Sequence, residues 1–356
     1  MKIGILTWYF AINYGAAAHS YALQKILEQM GYYVLMINHR PAEKPVLKYD
    51  ILGNMNVGHK YFHPLKVLRC LYRCLRFIIN RKLYRQSIRV KNGNDIKQLG
   101  LDAIVLGSDE ILNVIHPIHD KIYYGVGLES QNCIFYAPSI GKMDGSFSLS
   151  QEIINSLKRI KSFSARDPNT AILLQKYTDK DVKVVLDPTL LYDFEDIIDT
   201  NIEAGNNYVL LYAFSNLDVY KDLIQDYAKL HGLRIISVRK YYTWANKSYD
   251  MANLQEWLGL FKNSSLVITD SFHGFVFAVK NQKEFVIIST EDKVNKIKGL
   301  EDTLGINRPF FKKDSIDEYI ASFPIDYNKI SSAITQQKTL SLNFLRSALN
   351  DIGEKE

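Results

Sequence analysis

Apolar residues along this chain fall into two alternating rhythms. Short unbroken runs such as "KIGILT" (2–7), "YYVLMIN" (32–38) and "LDAIVLG" (101–107) predict strands buried on both faces, as in a parallel sheet. Between the first two runs, Leu23, Ile26, Leu27 and Met30 recur at i, i+3, i+4 and i+7, and Gly31 is placed to end the helix they predict. Further runs at "CIFYAPS" (133–139), "SFSAR" (162–166) and "VKVVL" (182–186) continue the alternation. Strands and helices in turn argue an α/β fold on a parallel sheet.

From Asp193 to Asn206 that rhythm stops. "DFEDIIDTNIEAGN" has five acids and no base and reads as an interdomain linker. Strands then resume at "YVLLYAF" (208–214), "LRIISV" (233–238), "SLVIT" (265–269) and "EFVIIS" (284–289), with helices near 217–231, 253–262 and 273–281. "SSAITQQKTLSLNFLRSALNDI" (331–352) predicts one more helix, capped by Ser. The expected architecture is two Rossmann-like domains facing a cleft, with mainly parallel sheets: residues 1–195, residues 207–330, and a C-terminal helix over 331–356. Sheets of this kind bind ligands beyond the carboxyl ends of their strands.

Composition changes this picture only locally. The 356 residues, 47% hydrophobic and 23% charged, suit a two-domain soluble protein. No apolar run approaches a membrane span, and Lys2 leads straight into a strand rather than a signal peptide. Cys70, Cys74 and Cys133 form no disulfide or zinc-finger pattern, which fits a reducing cytoplasm. The net charge of +6 is concentrated: residues 60–91 hold ten Lys or Arg and no acid, leaving −4 for the remainder. Within that stretch Leu65, Leu68, Leu71, Leu75 and Ile78 recur at helical spacing, predicting a basic amphipathic arm on the N-terminal domain. It reads either as a solvated surface arm or as a surface for anionic lipid or a pyrophosphate-bearing acceptor. No nucleic-acid-binding module accompanies it, so nucleic acid is not expected as a partner.

Polar residues gather at the predicted strand ends. Asn13, Tyr14 and Gly15 follow the first strand, Ser108 and Asp109 follow "IVLG", and Ser164 and Arg166 surround "SFSAR". "TDSFHG" (269–274) lies where a buried strand hands over to a buried helix and brings Asp270, Ser271, His273 and Gly274 to one corner. Neither a P-loop, nor G-x-G-x-x-G, nor G-x-S-x-G is present. His116 and His119 sit in a Pro-containing loop without a carboxylate cage, so a metal is not expected. "DPT" at 187–189 reads as a structural turn, and the aromatics of "RKYYTWANKSY" (239–249) could stack on sugar rings.

Six blocks in order carry a resemblance: "NYGAAAHSYALQ" (13–24), "DAIVLGSDEILN" (102–113), "YAPSIG" (136–141), "SARD" (164–167), "VVLDPTLL" (184–191) and "LVITDSFHGFVFA" (266–278). In these the chain resembles the polysaccharide pyruvyl transferase family. Ala18-His19-Ser20, Glu110, Leu112 and Ser271-Phe272 depart from the commoner family text. The resemblance implies a GT-B-like pair of domains and transfer of a pyruvyl group from phosphoenolpyruvate onto two hydroxyls of one sugar, as a ketal. It aligns Arg166 and His273 with the family's functional arginine and histidine.

On that reading Arg166 clamps an oxyanion of phosphoenolpyruvate, and Ser271 with the backbone to Gly274 receives another at a helix N-terminus. His273 is the expected base or proton shuttle. Asp270 orients it or acts as acid, and Asp109 serves the acceptor or C3. Asn13, Tyr14, Gly15 and Ser108 complete the expected substrate contacts. Phosphoenolpyruvate is the donor substrate, and no cofactor or metal is expected. The acceptor is a sugar, with lipid-linked, nucleotide-linked and polymeric forms left open. The expected location is cytoplasmic, with peripheral contact at the inner face of an anionic membrane as a further expectation. Two alternatives stay open: a nucleotide-sugar-dependent glycosyltransferase on the same fold, and an inactive carbohydrate-binding relative.

Overall fold

A computed structural model describes residues 1–40, 64–143, 146–288, 294–312 and 314–354, with 64–67 and 294–295 as backbone only. Residues 60–63 of the predicted basic arm and 355–356 of the predicted C-terminal helix lie outside the described residues. The chain forms two compact units. Among described residues the first holds 1–40, 81–193 and 334–354, and the second holds 64–80 and 194–333.

The first unit is built on a five-stranded sheet in the order β3-β2-β1-β4-β5. Its strands are β1 (Lys2–Leu6), β2 (Tyr33–His39), β3 (Gln86–Val90), β4 (Ala103–Leu106) and β5 (Cys133–Phe135). Every pairing is parallel, as the unbroken apolar runs require. The helix Tyr14–Gln29 connects β1 to β2, and nearly its whole first half is buried. Small residues there, Ala16, Ala17, Ala18, Ser20 and Ala22, permit that packing. β6 (Phe163–Ala165) and β7 (Val182–Val184) form a separate parallel pair. A single bridge, Ile134 to Ser162, extends β5 toward that pair.

The second unit repeats the plan. β8 (Tyr208–Tyr212), β9 (Arg234–Val238), β10 (Lys247–Tyr249), β11 (Leu266–Thr269) and β12 (Glu284–Ile287) are ordered β10-β9-β8-β11-β12, again all parallel. Val209, Leu211, Leu266, Ile268 and Val286 put alternate side chains of its central strands into one buried cluster with Ile224, Ala228 and Tyr319. Full burial of each Val, Leu or Ile side chain among them contributes roughly 1.5–3 kcal/mol.

Three expectations change. The basic arm is not one element of the N-terminal domain. Its helix, Pro64–Asn80, packs with the second unit, while residues 86–90 form β3 of the first sheet. Charge explains the first placement, because the helix's arginines find carboxylates in the second unit (below). The acidic stretch after Asp193 is also more than a linker. Phe194 and Ala204 are buried, and Gly259 lets the helix Leu254–Asn263 approach so closely that a Cβ there would stand 1.9 Å from the Asp199 carbonyl oxygen. Finally, the last helix runs Tyr327–Gly353. It starts four residues before Ser331, with the Asp326 carboxylate accepting the Asn328 and Lys329 amides at 3.1 and 3.2 Å. Residues 334–353 cluster with the first unit.

Candidate active site

Each unit gathers its polar residues at the carboxyl ends of its strands. In the first unit the centre of the cluster is Arg166, just after β6, with its side chain 2% exposed. Its Nη1 donates to Asp109 Oδ1 at 3.1 Å and to Asp187 Oδ2 at 3.2 Å. Burial opposes its charge, but the fields of Asp109, Asp187, Glu110 and Asp167 outweigh that and raise its pKa above the ordinary arginine value. One nitrogen of the guanidinium expected to clamp an oxyanion is thus engaged by two of the protein's own carboxylates.

Asp109 follows β4 with φ of 78°, a left-handed conformation that is uncommon for a residue other than glycine. Its backbone there accepts the Ser139 amide at 2.8 Å. Its second carboxylate oxygen lies 3.4 Å from Nε2 of the fully buried His19. His19 was legible in the sequence only as a departure from the commoner text, yet the buried helix Tyr14–Gln29 turns it onto Asp109. Asp187, read as part of a structural turn, does cap the short helix Pro188–Leu191 and accepts from Thr189. It also serves as the second counterion of Arg166.

The other residues expected to contact substrate in this unit make the following local contacts. Asn13 caps its helix, its Oδ1 accepting the Gly15 and Ala16 amides at 2.9 and 3.3 Å. Tyr14 and Gly15 are buried in the first turn. Ser108 is buried and donates to the Ala137 carbonyl at 3.1 Å.

In the second unit the corner at 269–274 is built as the sequence suggests. β11 ends at Thr269, Ser271 takes extended backbone as N-cap, and the helix Phe272–Lys280 begins. Gly274 is required by packing, since a Cβ there would lie 2.0 Å from Thr269 Oγ1. Ser271 Oγ accepts the Gly274 amide at 3.4 Å. His273 lies in the first helical turn, 7% exposed, its ring 5.3 Å from that of Phe272 and nearly perpendicular to it.

Asp270, the residue of this corner expected to orient His273 or act as acid, is 1% exposed. Its two oxygens accept the Phe214 and Ser215 amides, both at 2.7 Å, and so fix the loop that follows β8. Lys240 holds the same loop from its other side, donating to the Phe214 and Ser215 carbonyls at 2.6 and 2.8 Å.

Arg239, which sequence reasoning did not single out, completes this cluster. It follows β9 with φ of 73°, and its guanidinium carbon stands 4.0 Å from the Phe214 ring centroid, a cation–π distance. The side chain is half-buried. Tyr212 connects it to the corner: burial raises that phenol's pKa, while Arg239 and a hydrogen bond with Ser271 oppose the rise. The available signal was position, a cation pair directly after the apolar run "LRIISV".

Two units with five parallel strands each, and polar clusters at the strand ends, define a Rossmann-like α/β protein of GT-B-like class. The sequence profile of the polysaccharide pyruvyl transferase family matches residues 13–292, and the chain belongs to that family. No curated protein sequence matches it significantly. Among solved structures it is similar to a UDP-N-acetylglucosamine 2-epimerase from Rickettsia bellii, with 10% identity, TM-score 0.51, and coverage of 99% of this chain and 97% of that one. It is also similar to the MnaA–UDP complex of S. aureus, with 12% identity, TM-score 0.52, and coverage of 98% and 97%. At such identities the likeness is one of fold.

Proposed function

We propose that this protein transfers the pyruvyl group of phosphoenolpyruvate to two hydroxyls of one sugar, forming a ketal in polysaccharide biosynthesis. The observation that carries the reading is the second unit's corner: His273 in the first turn of the helix Phe272–Lys280, with Arg239 at the end of β9, which β8 separates from β11 in the same sheet. Helix N-termini favour anions, and a guanidinium binds carboxylate or phosphate in a bidentate manner. Phosphoenolpyruvate offers one of each.

The chemistry needs two proton movements. C3 of the enol is protonated, C2 becomes electrophilic, and one sugar oxygen adds as its hydroxyl loses a proton. The bond from C2 to the phosphate oxygen breaks, and the second hydroxyl closes the ketal. One hydroxyl proton thus ends on C3 and the other on the released phosphate. His273 is the base and shuttle in this scheme, a role contributing about 10²–10⁴-fold. Asp109, with His19 beside it, serves the acceptor hydroxyls or C3. Arg166 holds Asp109 in place and is a positioning residue. Asp270 and Lys240 fix the loop on which Arg239 rests.

Purified protein incubated with labelled phosphoenolpyruvate and a panel of free and lipid-linked sugars tests this. Label transfer with stoichiometric phosphate release is expected and should survive EDTA. Turnover of a nucleotide sugar instead would select a glycosyltransferase, and sugar binding without turnover an inactive relative.

A further inference from the structure

Three arginines of the helix Pro64–Asn80 turn toward the rest of the second unit. Arg69, Arg73 and Arg76 are spaced i, i+4 and i+7, along one side of the helix. The outer two are ion-paired. Arg69 forms a bidentate pair with Asp250, and Arg76 binds Glu256 through two contacts of 2.9 Å. These pairs fix the helix with Leu68, Leu71, Leu75 and Ile78 left exposed.

Arg73, between them, is used differently. It is 5% exposed, and its Nη1 donates to two main-chain carbonyls, that of Arg239 at 2.7 Å and that of Asp250 at 3.2 Å. Its Nη2 lies 3.9 Å from Cys70 Sγ on the same helix. A charge buried to serve carbonyl oxygens gives up its hydration. What it secures here is the course of the chain at Arg239.

That course is an unfavourable one. Arg239 has φ of 73°, a conformation costly for a residue with a Cβ, which persists only where the surroundings hold it. The Arg239 amide reaches the Tyr249 carbonyl at 3.5 Å, a long bond, so the Arg73 contact is the shorter hold on this main chain. Ser237 Oγ closes the turn by donating to the Lys240 carbonyl at 2.9 Å. The turn sends two cations to one loop: Lys240 Nζ to the Phe214 and Ser215 carbonyls, and the Arg239 guanidinium to the Phe214 ring. Relaxation of residue 239 to negative φ would launch its side chain in another direction.

We infer that Arg73 is a positioning residue for the second unit's site. By holding the Arg239 carbonyl it keeps the turn left-handed and the Arg239 guanidinium over Phe214, where that guanidinium receives an oxyanion of the substrate. The oxyanion role of Arg239 rests on the pyruvyl transfer proposed above, whereas the hold of Arg73 on Arg239 does not.

Crystal structures of wild type and Arg73→Met test the hold itself. The variant is expected to lose the positive φ at residue 239 and to move the guanidinium beyond the ~6 Å of a cation–π contact with Phe214. Kinetics test the consequence. The KM for phosphoenolpyruvate should rise by about tenfold, as for loss of the Arg239 fork itself, with kcat within about twofold of wild type. Arg73→Met added to Arg239→Lys should raise KM no further, because both act through one guanidinium. Arg73→Gln, a shorter neutral truncation with the same expected effects, is measured alongside in case the Met variant does not fold, and thermal unfolding identifies the folded variants. Folded Arg73 variants that keep Arg239 left-handed and over Phe214 overturn the inference. So does a double variant whose KM rises by the product of the two single effects, which would give Arg73 an action separate from Arg239. Wild type without phosphoenolpyruvate turnover would instead refute pyruvyl transfer, and the two crystal structures would still decide what holds Arg239.

Discussion

The two polar clusters occupy equivalent places at the strand ends of two similar sheets, yet they differ in how their cations are used. In the first unit, Arg166 is buried between Asp109 and Asp187, its charge met by residues of its own unit. In the second, Arg239 lies half-buried over an aromatic ring. A buried guanidinium with two carboxylates fixes geometry. A partly exposed one can still receive an incoming oxyanion. The same contrast extends to buried acids. Those of the first cluster have Arg166, whereas Glu301 in the second unit is 1% exposed with Lys298 at 3.8 Å, and burial pushes its carboxyl up to about 7.

The largest effect should follow from removing His273, the proposed base of the second unit's cluster. His273→Ala is expected to reduce ketal formation by about 10²–10⁴-fold while changing unfolding free energy by less than about 1–2 kcal/mol. Coupled phosphate-release kinetics and urea unfolding read the two quantities. Wild-type turnover would remove His273 from the reaction.

Arg166→Met breaks the first cluster and leaves the buried Asp187 and the partly buried Asp109 without this cation. A loss of about 3–5 kcal/mol in stability is expected, as for other broken buried pairs. If denaturant midpoints are unchanged, Arg166 is not the keystone of that cluster.

Arg239→Lys should act on substrate rather than fold. A point ammonium loses the bidentate fork, so the KM for phosphoenolpyruvate should rise by about tenfold at nearly constant Tm. An unchanged KM would move the oxyanion contact elsewhere.

Glu301→Gln gives the most pH-dependent effect and none near pH 4. The folded protein retains a proton up to about pH 7 that the unfolded chain, at the ordinary value of 4.5, releases earlier. Wild-type stability should therefore fall as pH rises between those values and remain reduced above them. The glutamine variant should match wild type near pH 4 and exceed it by about 1–3 kcal/mol at pH 8. Equal pH profiles would show that the Glu301 carboxyl is not perturbed.

Sequence alone determined the secondary-structure alternation, the parallel sheets and the location of the polar corners. Unbroken runs such as "KIGILT" and "SLVIT" allow few structures other than buried parallel strands, and Ser271 and Gly274 mark a strand-to-helix junction through local backbone and packing demands. These are short-range properties, encoded within a few residues. What the tertiary structure decided are pairings across long separations. Asp109 meets Arg166 57 residues away, and Arg69 meets Asp250 181 residues away. Periodicity could show that residues 64–80 form an amphipathic helix, but not which face turns inward. That depended on Asp250 and Glu256 being positioned to neutralise the arginines. It also depended on bidentate, partly desolvated ion pairs outweighing the exposure of a Leu and Ile stripe. Likewise, position along the chain made Arg166 and Asp270 look alike as strand-end charges. Their partners set them apart: two carboxylates for Arg166 and two backbone amides for Asp270.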